Sequence, residues 1–166
     1  KVHNEITAFD ICPGNLPLNY FAEKLGFSYD KDGEIAKTGK LIDTLLTSLN
    51  SIPFYASAAP KSLGTEWLES EFYALFPKEI QTEDCLRTVT EHLAIQIATI
   101  LNEKKLKSVF VTGGGARNNF LIERLKHYFN GSLIIPSEKI IDSKEAIIFA
   151  FLGARYIRNE TTTISS

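Results

Sequence analysis

The chain has 166 residues, 44% of them apolar and 23% charged, with a formal net charge of −2. That length and composition suit one globular domain with a sizeable core, and the near-neutral balance gives no general attraction for nucleic acid. No apolar run is long enough to span a bilayer, Lys1 to Glu5 lack the apolar core of a signal peptide, and Cys12 and Cys85 lack the spacing of a zinc or redox pair, so a reducing cytoplasm is the simplest compartment.

In chain order, Ile6 to Phe9 reads as a strand with Asp10 at its C-terminal end. Cys12-Pro-Gly-Asn15 is a turn. Leu16, Tyr20, Phe21 and Leu25 have helical spacing, with Pro17 confined to the first turn and Gly26 closing the helix. Tyr29 to Gly33 is a polar turn. It faintly resembles a calcium loop but lacks the six-position ligand pattern and the closing Glu. Leu41, Ile42, Leu45, Leu46 and Leu49 predict an amphipathic helix, and Pro53 ends that region. Pro60 to Gly64 is another turn, after which Thr65 can cap a helix carrying Trp67, Leu68, Phe72 and Leu75. Thr82 to Glu103 reads as a long helix with Leu86, Val89, Leu93, Ile97 and Ile100 on its buried side. A single His on a helix is most simply structural, so His92 and His127 are read that way.

Val109 to Val111 reads as a short buried strand. Gly113, Gly114 and Gly115 follow, and then a helical pattern in Phe120, Leu121, Leu125 and Tyr128. Strand, glycine turn and helix together can bring backbone N–H groups close to a nucleotide, where a Cβ would block the approach. The run is not a dinucleotide fingerprint: Asn118 takes the last glycine position, and no acidic residue ends the next strand. No G-x-x-x-x-G-K-[ST] occurs. Spacing alone therefore leaves a nucleotide turn and an ordinary strand-to-helix turn both open.

Leu133 to Ile135 reads as a second core strand. A last helix is expected from Asp142 to about Arg158, with Ile148, Phe149, Phe151 and Leu152 to bury. The end of the chain then looks like a βαβ unit, which points to an α/β layer fold. Ligands in such sheets sit at the C-terminal ends of strands, where Asp10 and Gly113 to Gly115 both fall. We also expect the chain to be a piece of a longer protein, its second half. It contains no Met, opens almost in a strand and closes in a polar tail.

A set of short motifs occurs in order: Phe9-Asp10, Pro13-Gly14-Asn15, Tyr29 to Gly33, Gly39-Lys40, Pro60-Lys61-Ser62, Gly64, Glu66, Gly113 to Asn118, Glu145-Ala146 and Phe149-Ala150. Together they resemble the second half of the anhydro-N-acetylmuramic acid kinases, across nearly the whole chain. The resemblance implies an α/β actin-like ATPase (ribonuclease H-like) domain, with a mixed sheet flanked by helices. It implies one domain over 1–166, the C-terminal half of a two-domain cytoplasmic sugar kinase of cell-wall recycling. Such an enzyme uses ATP and Mg2+ to open the 1,6-anhydro ring with water and phosphorylate O6, giving N-acetylmuramic acid 6-phosphate.

Carried over by position, Asp10 matches the catalytic aspartate, the general base on the attacking water. Without the resemblance it reads as a strand-end cap. Gly113, Gly114 and Gly115 match the segment against the nucleotide, with Asn118 beside it, although Asn118 could equally be an N-cap. Glu145 would reach the sugar, but Asp142 to Glu145 also has capping-box spacing. Magnesium held mainly by phosphates and water needs no dedicated ligand cluster, so none is expected. Lys61 and Ser62 match the motif without an evident role, and a surface turn is their default. The family's commoner Thr-Gly-Pro-Gly-Asn is here Ile11-Cys-Pro-Gly-Asn15, which removes a hydroxyl and a flexible position. Implied partners are the anhydro-sugar, the N-terminal domain of the same protein and a second copy in a homodimer; nucleic acid and membrane are not among them. Two other readings stay open: a non-catalytic nucleotide-binding regulatory or assembly module on the same fold, and a structural fragment without a ligand.

Overall fold

The structure, a computed structural model, describes residues 7–162. Its centre is the long helix α6 (Thr82–Glu103), as its apolar spacing predicts. Leu86, Val89, Leu93 and Ala94 are wholly buried along one side. Four helices pack around it: α1 (Leu16–Lys24), α2 (Glu34–Thr38), α3 (Asp43–Asn50) and α7 (Asn119–Tyr128). They contribute Leu18 and Phe21, Ala36, Leu45 and Leu49, and Phe120, Leu121 and Leu125 to one core. Each such Leu or Phe side chain withdrawn from water stabilises the fold by about 1.5–3 kcal/mol before entropy is counted.

Between α3 and α6 the chain forms the single turn α4 (Pro53–Ala56) and then α5 (Thr65–Trp67). Beyond Trp67 the winding loosens into a π turn over Leu68–Phe72 and tightens into a 3-10 turn over Tyr73–Leu75. The side chain of Thr65 makes no cap; Gly64 occupies the N-cap position. Phe72 is completely buried at the centre of an aromatic group with Trp67, Tyr73 and Phe76.

Two strands, β1 (Ser108–Phe110) and β2 (Ser132–Ile134), pair in parallel with Val109 opposite Leu133. Helix α7 lies between them in sequence, so β1–α7–β2 is the expected βαβ unit. The described sheet is thus parallel, with no antiparallel strand among the described residues. Neither strand is buried on both sides. Val109 and Leu133 pack against the core, whereas Phe110 is 56% and Ile134 49% exposed. The pleat explains this: neighbouring side chains point to opposite faces, and helices cover one of them.

The strand expected at Ile6 to Phe9 is not seen in Thr7 to Phe9, which have no regular structure, and Ile6 lies outside the described residues. The Asp10 N–H donates to the Lys61 carbonyl at 2.9 Å, a loop contact instead of a sheet ladder.

The last helix also differs from expectation. α8 runs Glu138–Ile157, starting four residues before Asp142. Pro136 precedes an extended Ser137 at the N-cap, which sets the start there. Asp142 is inside the helix and forms an ion pair with Arg117, so Asp142 and Glu145 make no capping box. The side chains expected to be buried are not: Ile148 and Phe151 are exposed, Phe149 is 72% exposed and Leu152 is half-buried. Apolar residues surround this helix instead of forming one stripe, and no described element packs over the outer ones.

Helices α6 and α7 are joined by charge as well as by packing. Glu91 is 1% exposed within the core. Arg124 of α7 grips its carboxylate with both Nε (2.9 Å) and Nη2 (2.7 Å), and Arg87 and the Tyr128 hydroxyl donate to it too. Burial pushes the Glu91 carboxyl up, but donation from Arg124, Tyr128 and Arg87 outweighs this and holds it below the usual carboxylate range. The glycine turn is thereby set on a helix fixed to the core.

Candidate active site

The Asp10 carboxylate is exposed and held from below by one loop. Its backbone N–H donates to Lys61 O, and its Oδ2 accepts the Leu63 N–H at 2.9 Å. Its Oδ1 accepts no hydrogen bond among the described residues. With Ala8, Phe9, Pro60, Lys61 and Ser62, Asp10 lines an open depression. A clamped carboxylate with one free oxygen can accept a proton from a water molecule.

Gly113 follows the C-terminal end of β1, where Val111 N–H still reaches Ile134 O. Its φ of +82° requires glycine. Gly114 begins a 3-10 turn over Gly114–Arg117 that leads into α7. A Cβ at Gly114 would lie 3.0 Å from Asn15 Nδ2, and one at Gly115 3.3 Å from Asn15 Oδ1. The Pro13-Gly14-Asn15 turn therefore leans directly on the glycine turn. Around them a second depression is lined by Asn15, Gly114, Asn118, Ile135, Pro136 and Ile141, among others. It offers amide groups on one side and an apolar wall on the other.

Asn118 does cap α7: its Oδ1 accepts the Leu121 N–H at 2.9 Å, and it is 8% exposed. Gly33 packs tightly against it, since a Cβ there would come within 2.5 Å of Asn118 Oδ1. The loop before Gly33 caps α2. Asp30 is buried, and its two oxygens accept the N–H groups of Ile35 and Ala36 at the start of α2.

Asp10 and the glycine turn thus line two depressions, linked by residues 11–15. Glu145 is exposed on α8 and lines neither. Its neighbour Lys144 reaches the glycine turn, with Nζ 3.9 Å from where a Gly113 Cβ would be. Cys12, in the linking segment, packs against the core, and burial pushes its thiol up to about 11.

The family model for anhydro-N-acetylmuramic acid kinase matches residues 1–166. The chain belongs to that family. It is 34% identical over 161 residues to the anhydro-N-acetylmuramic acid kinase of Hahella chejuensis, covering 92% of this chain and 43% of the relative. It is 35% identical to that of Mannheimia succiniciproducens, covering 95% of this chain and 46% of the relative. It is 32% identical to that of Francisella tularensis subsp. novicida, covering 98% of this chain and 46% of the relative. The chain spans less than half the length of these curated relatives.

In this family member, four site residues escaped the sequence reading of roles. Asn15 was visible in the Pro13-Gly14-Asn15 motif, but nothing in the spacing brings it to Gly114. Leu63 acts through its backbone, which carries no residue signal. Thr112 precedes the glycines, and its Oγ1 is buried without a partner among the described residues. Lys144 comes to the turn because α8 starts at Glu138, ahead of the start at Asp142 that the sequence predicts.

Proposed function

We propose that this chain is the C-terminal, nucleotide-side half of an ATP-dependent anhydro-N-acetylmuramic acid kinase on an actin-like ATPase fold. The observation that carries the reading is Asp10: a carboxylate clamped by backbone, open on one oxygen, at the family's catalytic position. A nucleotide-binding module without chemistry has no use for such a group.

In the reaction, the oxygen of water bonds to C1 of the sugar and the C1–O6 bond breaks. O6 takes the γ-phosphoryl group of ATP, and ADP leaves. Asp10 takes the proton of the water through its free Oδ1. The Leu63 N–H keeps Oδ2 in place, so the carboxylate does not rotate away. The product is N-acetylmuramic acid 6-phosphate.

The residues present suit ATP. Gly113 to Gly115 keep the approach free of side chains. Ile135, Pro136 and Ile141 supply an apolar wall for a base. Asn118 serves by holding the start of α7 in place, beyond what its free amide can donate. Lys144 puts positive charge beside the turn, while the charge of Arg117 is met by Asp142. Glu145 is assigned to the sugar. Among the described residues no cluster of three or more His, Cys, Asp or Glu could hold a metal. Magnesium would neutralise phosphate charge while bound chiefly to ATP and water.

The N-terminal half of the protein supplies the remaining phosphate and sugar contacts in this reading, and a homodimer is compatible with it. ATP as donor sets the reaction in the cytoplasm. Among the described residues, no helix is long and apolar enough to cross a membrane. The test is ADP release by the full-length protein from ATP, magnesium and 1,6-anhydro-N-acetylmuramic acid. Sugar-independent ATP hydrolysis, or no turnover by a folded protein, would overturn the proposal.

A further inference from the structure

The loop that clamps Asp10 is held at its start, where the Ser57 N–H (3.2 Å) and hydroxyl (2.6 Å) donate to the Phe54 carbonyl, and by little else. Ser57 to Pro60 are all exposed, and residues 57–64 form no helix or strand. Lys61 is the exception. Its side chain is half-buried and crosses the ring of Phe54, with Nζ 4.5 Å from the centroid. The ammonium donates to the carbonyls of Phe54 (2.9 Å) and Tyr55 (3.3 Å) at the end of α4. The Tyr55 carbonyl, at the helix end, has no other donor among the described residues, whereas the Phe54 carbonyl is shared with the N–H and hydroxyl of Ser57.

α4 is in turn tied to the core. The Tyr55 hydroxyl and His92 Nε2 lie 2.8 Å apart, and His92 Nδ1 lies 2.7 Å from Asn50 Oδ1. An amide oxygen only accepts, so His92 carries its proton on Nδ1 and takes the Tyr55 O–H at Nε2. Gln96 Nε2 donates to the same Asn50 oxygen at 2.9 Å. Phe54 and Tyr55 also pack on Trp67. The result is a continuous path from the centre of α6, through Tyr55 and Lys61, to the backbone groups that grip Asp10.

We infer that Lys61 is a positioning residue for Asp10. Its ammonium anchors the loop to α4; on that loop the Lys61 carbonyl holds the Asp10 backbone N–H and the Leu63 N–H holds the carboxylate. This rests on Asp10 being the base. The side chain lies beside the Asp10 depression, so a direct phosphate contact is the competing role. The two differ kinetically. A positioning residue lowers kcat with little change in KM, whereas a phosphate ligand in the ground state raises the KM for ATP.

The experiment is steady-state ADP release by the full-length protein carrying K61M, K61R or D10N, with folding checked by circular dichroism. K61M should lower kcat about ten- to hundredfold, the scale of a misplaced catalytic group, with both KM values within about twofold. K61R can donate to the same carbonyls and should recover most of that loss. If K61M does not fold, K61Q, with a shorter stem and one amide donor, reads the same split. A raised KM for ATP at unchanged kcat would overturn the inference. So would an unchanged kcat, or a loss that K61R leaves unrescued. D10N separates the two levels: if D10N is inactive and K61M normal, only the role of Lys61 falls. If D10N keeps its activity, the base assignment falls and the inference with it.

Discussion

Leu63 donates its backbone N–H to Asp10 Oδ2 at 2.9 Å, fifty-three residues away in sequence. That bond commits one carboxylate oxygen and orients the other. In Asp10→Asn the amide oxygen can keep the Leu63 bond, which turns the NH2 group toward the reacting water. An NH2 group cannot take a proton. We expect kcat of the full-length protein to fall about 10²–10⁴-fold, the usual scale of a lost general base. ADP affinity should stay within about threefold, since the bond that shapes the loop survives. A kcat within about threefold of the parent would remove Asp10 from the chemistry.

The nucleotide assignment makes a separate prediction. Gly114 does not need a positive φ, so the reason for glycine there is space. A Cβ would already sit 3.0 Å from Asn15 Nδ2, and a branched side chain would push Asn15 aside while entering the depression. Gly114→Val in the full-length protein should weaken ADP binding at least about tenfold, equivalent to 1.4 kcal/mol. Titration calorimetry on a variant with an unchanged unfolding midpoint is the measurement. Unaltered ADP affinity would place the nucleotide elsewhere.

What was legible in the sequence follows from the physics of each element. α6 was readable because its apolar residues recur at helical spacing over six turns and bury one stripe. The β1–α7–β2 order was readable from two apolar runs around a glycine turn. The strand at Thr7 to Phe9 was misread because a short apolar run says nothing about a pairing partner, and Asp10 bonds to a loop instead. α8 was misread in burial because side-chain apolarity does not reveal what covers it. At the site, the strand–glycine–helix order singles out Gly113 to Gly115, and the roles given to them and to Asp10 come from the motif resemblance. The Lys61 contact could not be read at all, since it joins an ammonium to two carbonyls of a single-turn helix.

His92 gives a pH prediction. Burial lowers its pKa to about 3, while in the unfolded chain it is near the ordinary 6.5. The folded state therefore holds it neutral, and the unfolded state binds a proton first as pH falls. Its contribution is fully present above about pH 6.5 and is lost progressively between there and about pH 3. Urea unfolding of the full-length protein at pH 7.5 and pH 5.5 should show this. The parent should lose about 1.4 kcal/mol more over that interval than His92→Gln. Equal losses would mean that His92 titrates normally in the fold.

The Glu91 cluster predicts a stability effect without a chemical one. Removing one side of a buried ion pair costs about 3–5 kcal/mol. Arg87 and Arg124 keep 17% and 20% of their side-chain surface exposed, so water relieves part of that cost. Glu91→Ala should destabilise the protein by about 2–3 kcal/mol, with Glu91→Gln closer to the parent. If Glu91→Ala changes the unfolding free energy by less than about 1 kcal/mol, α6 and α7 are held by apolar packing alone.

The isolated chain supplies the final test. Its core is continuous around α6, with apolar side chains from four further helices and the inner residues of both strands. That is enough for residues 1–166 to unfold cooperatively on their own. Activity is another matter. Phosphoryl transfer depends on positioning and on charge stabilisation from groups around the whole phosphate. In the proposed reading Asp10 and Gly113 to Gly115 provide one side of that shell, and the chain covers 43% to 46% of the relatives' length. The exposed Phe149, Phe151 and Ile157 of α8 also leave an apolar surface uncovered by any described element. Incubated alone with ATP, magnesium and the anhydro sugar, the chain should release no measurable ADP and bind ADP weakly. Mixing in the separately produced N-terminal half is the arm where turnover is expected to return, through docking of the two surfaces. Turnover by the isolated chain at the full-length rate would mean that Asp10 and the glycine turn already form a complete site.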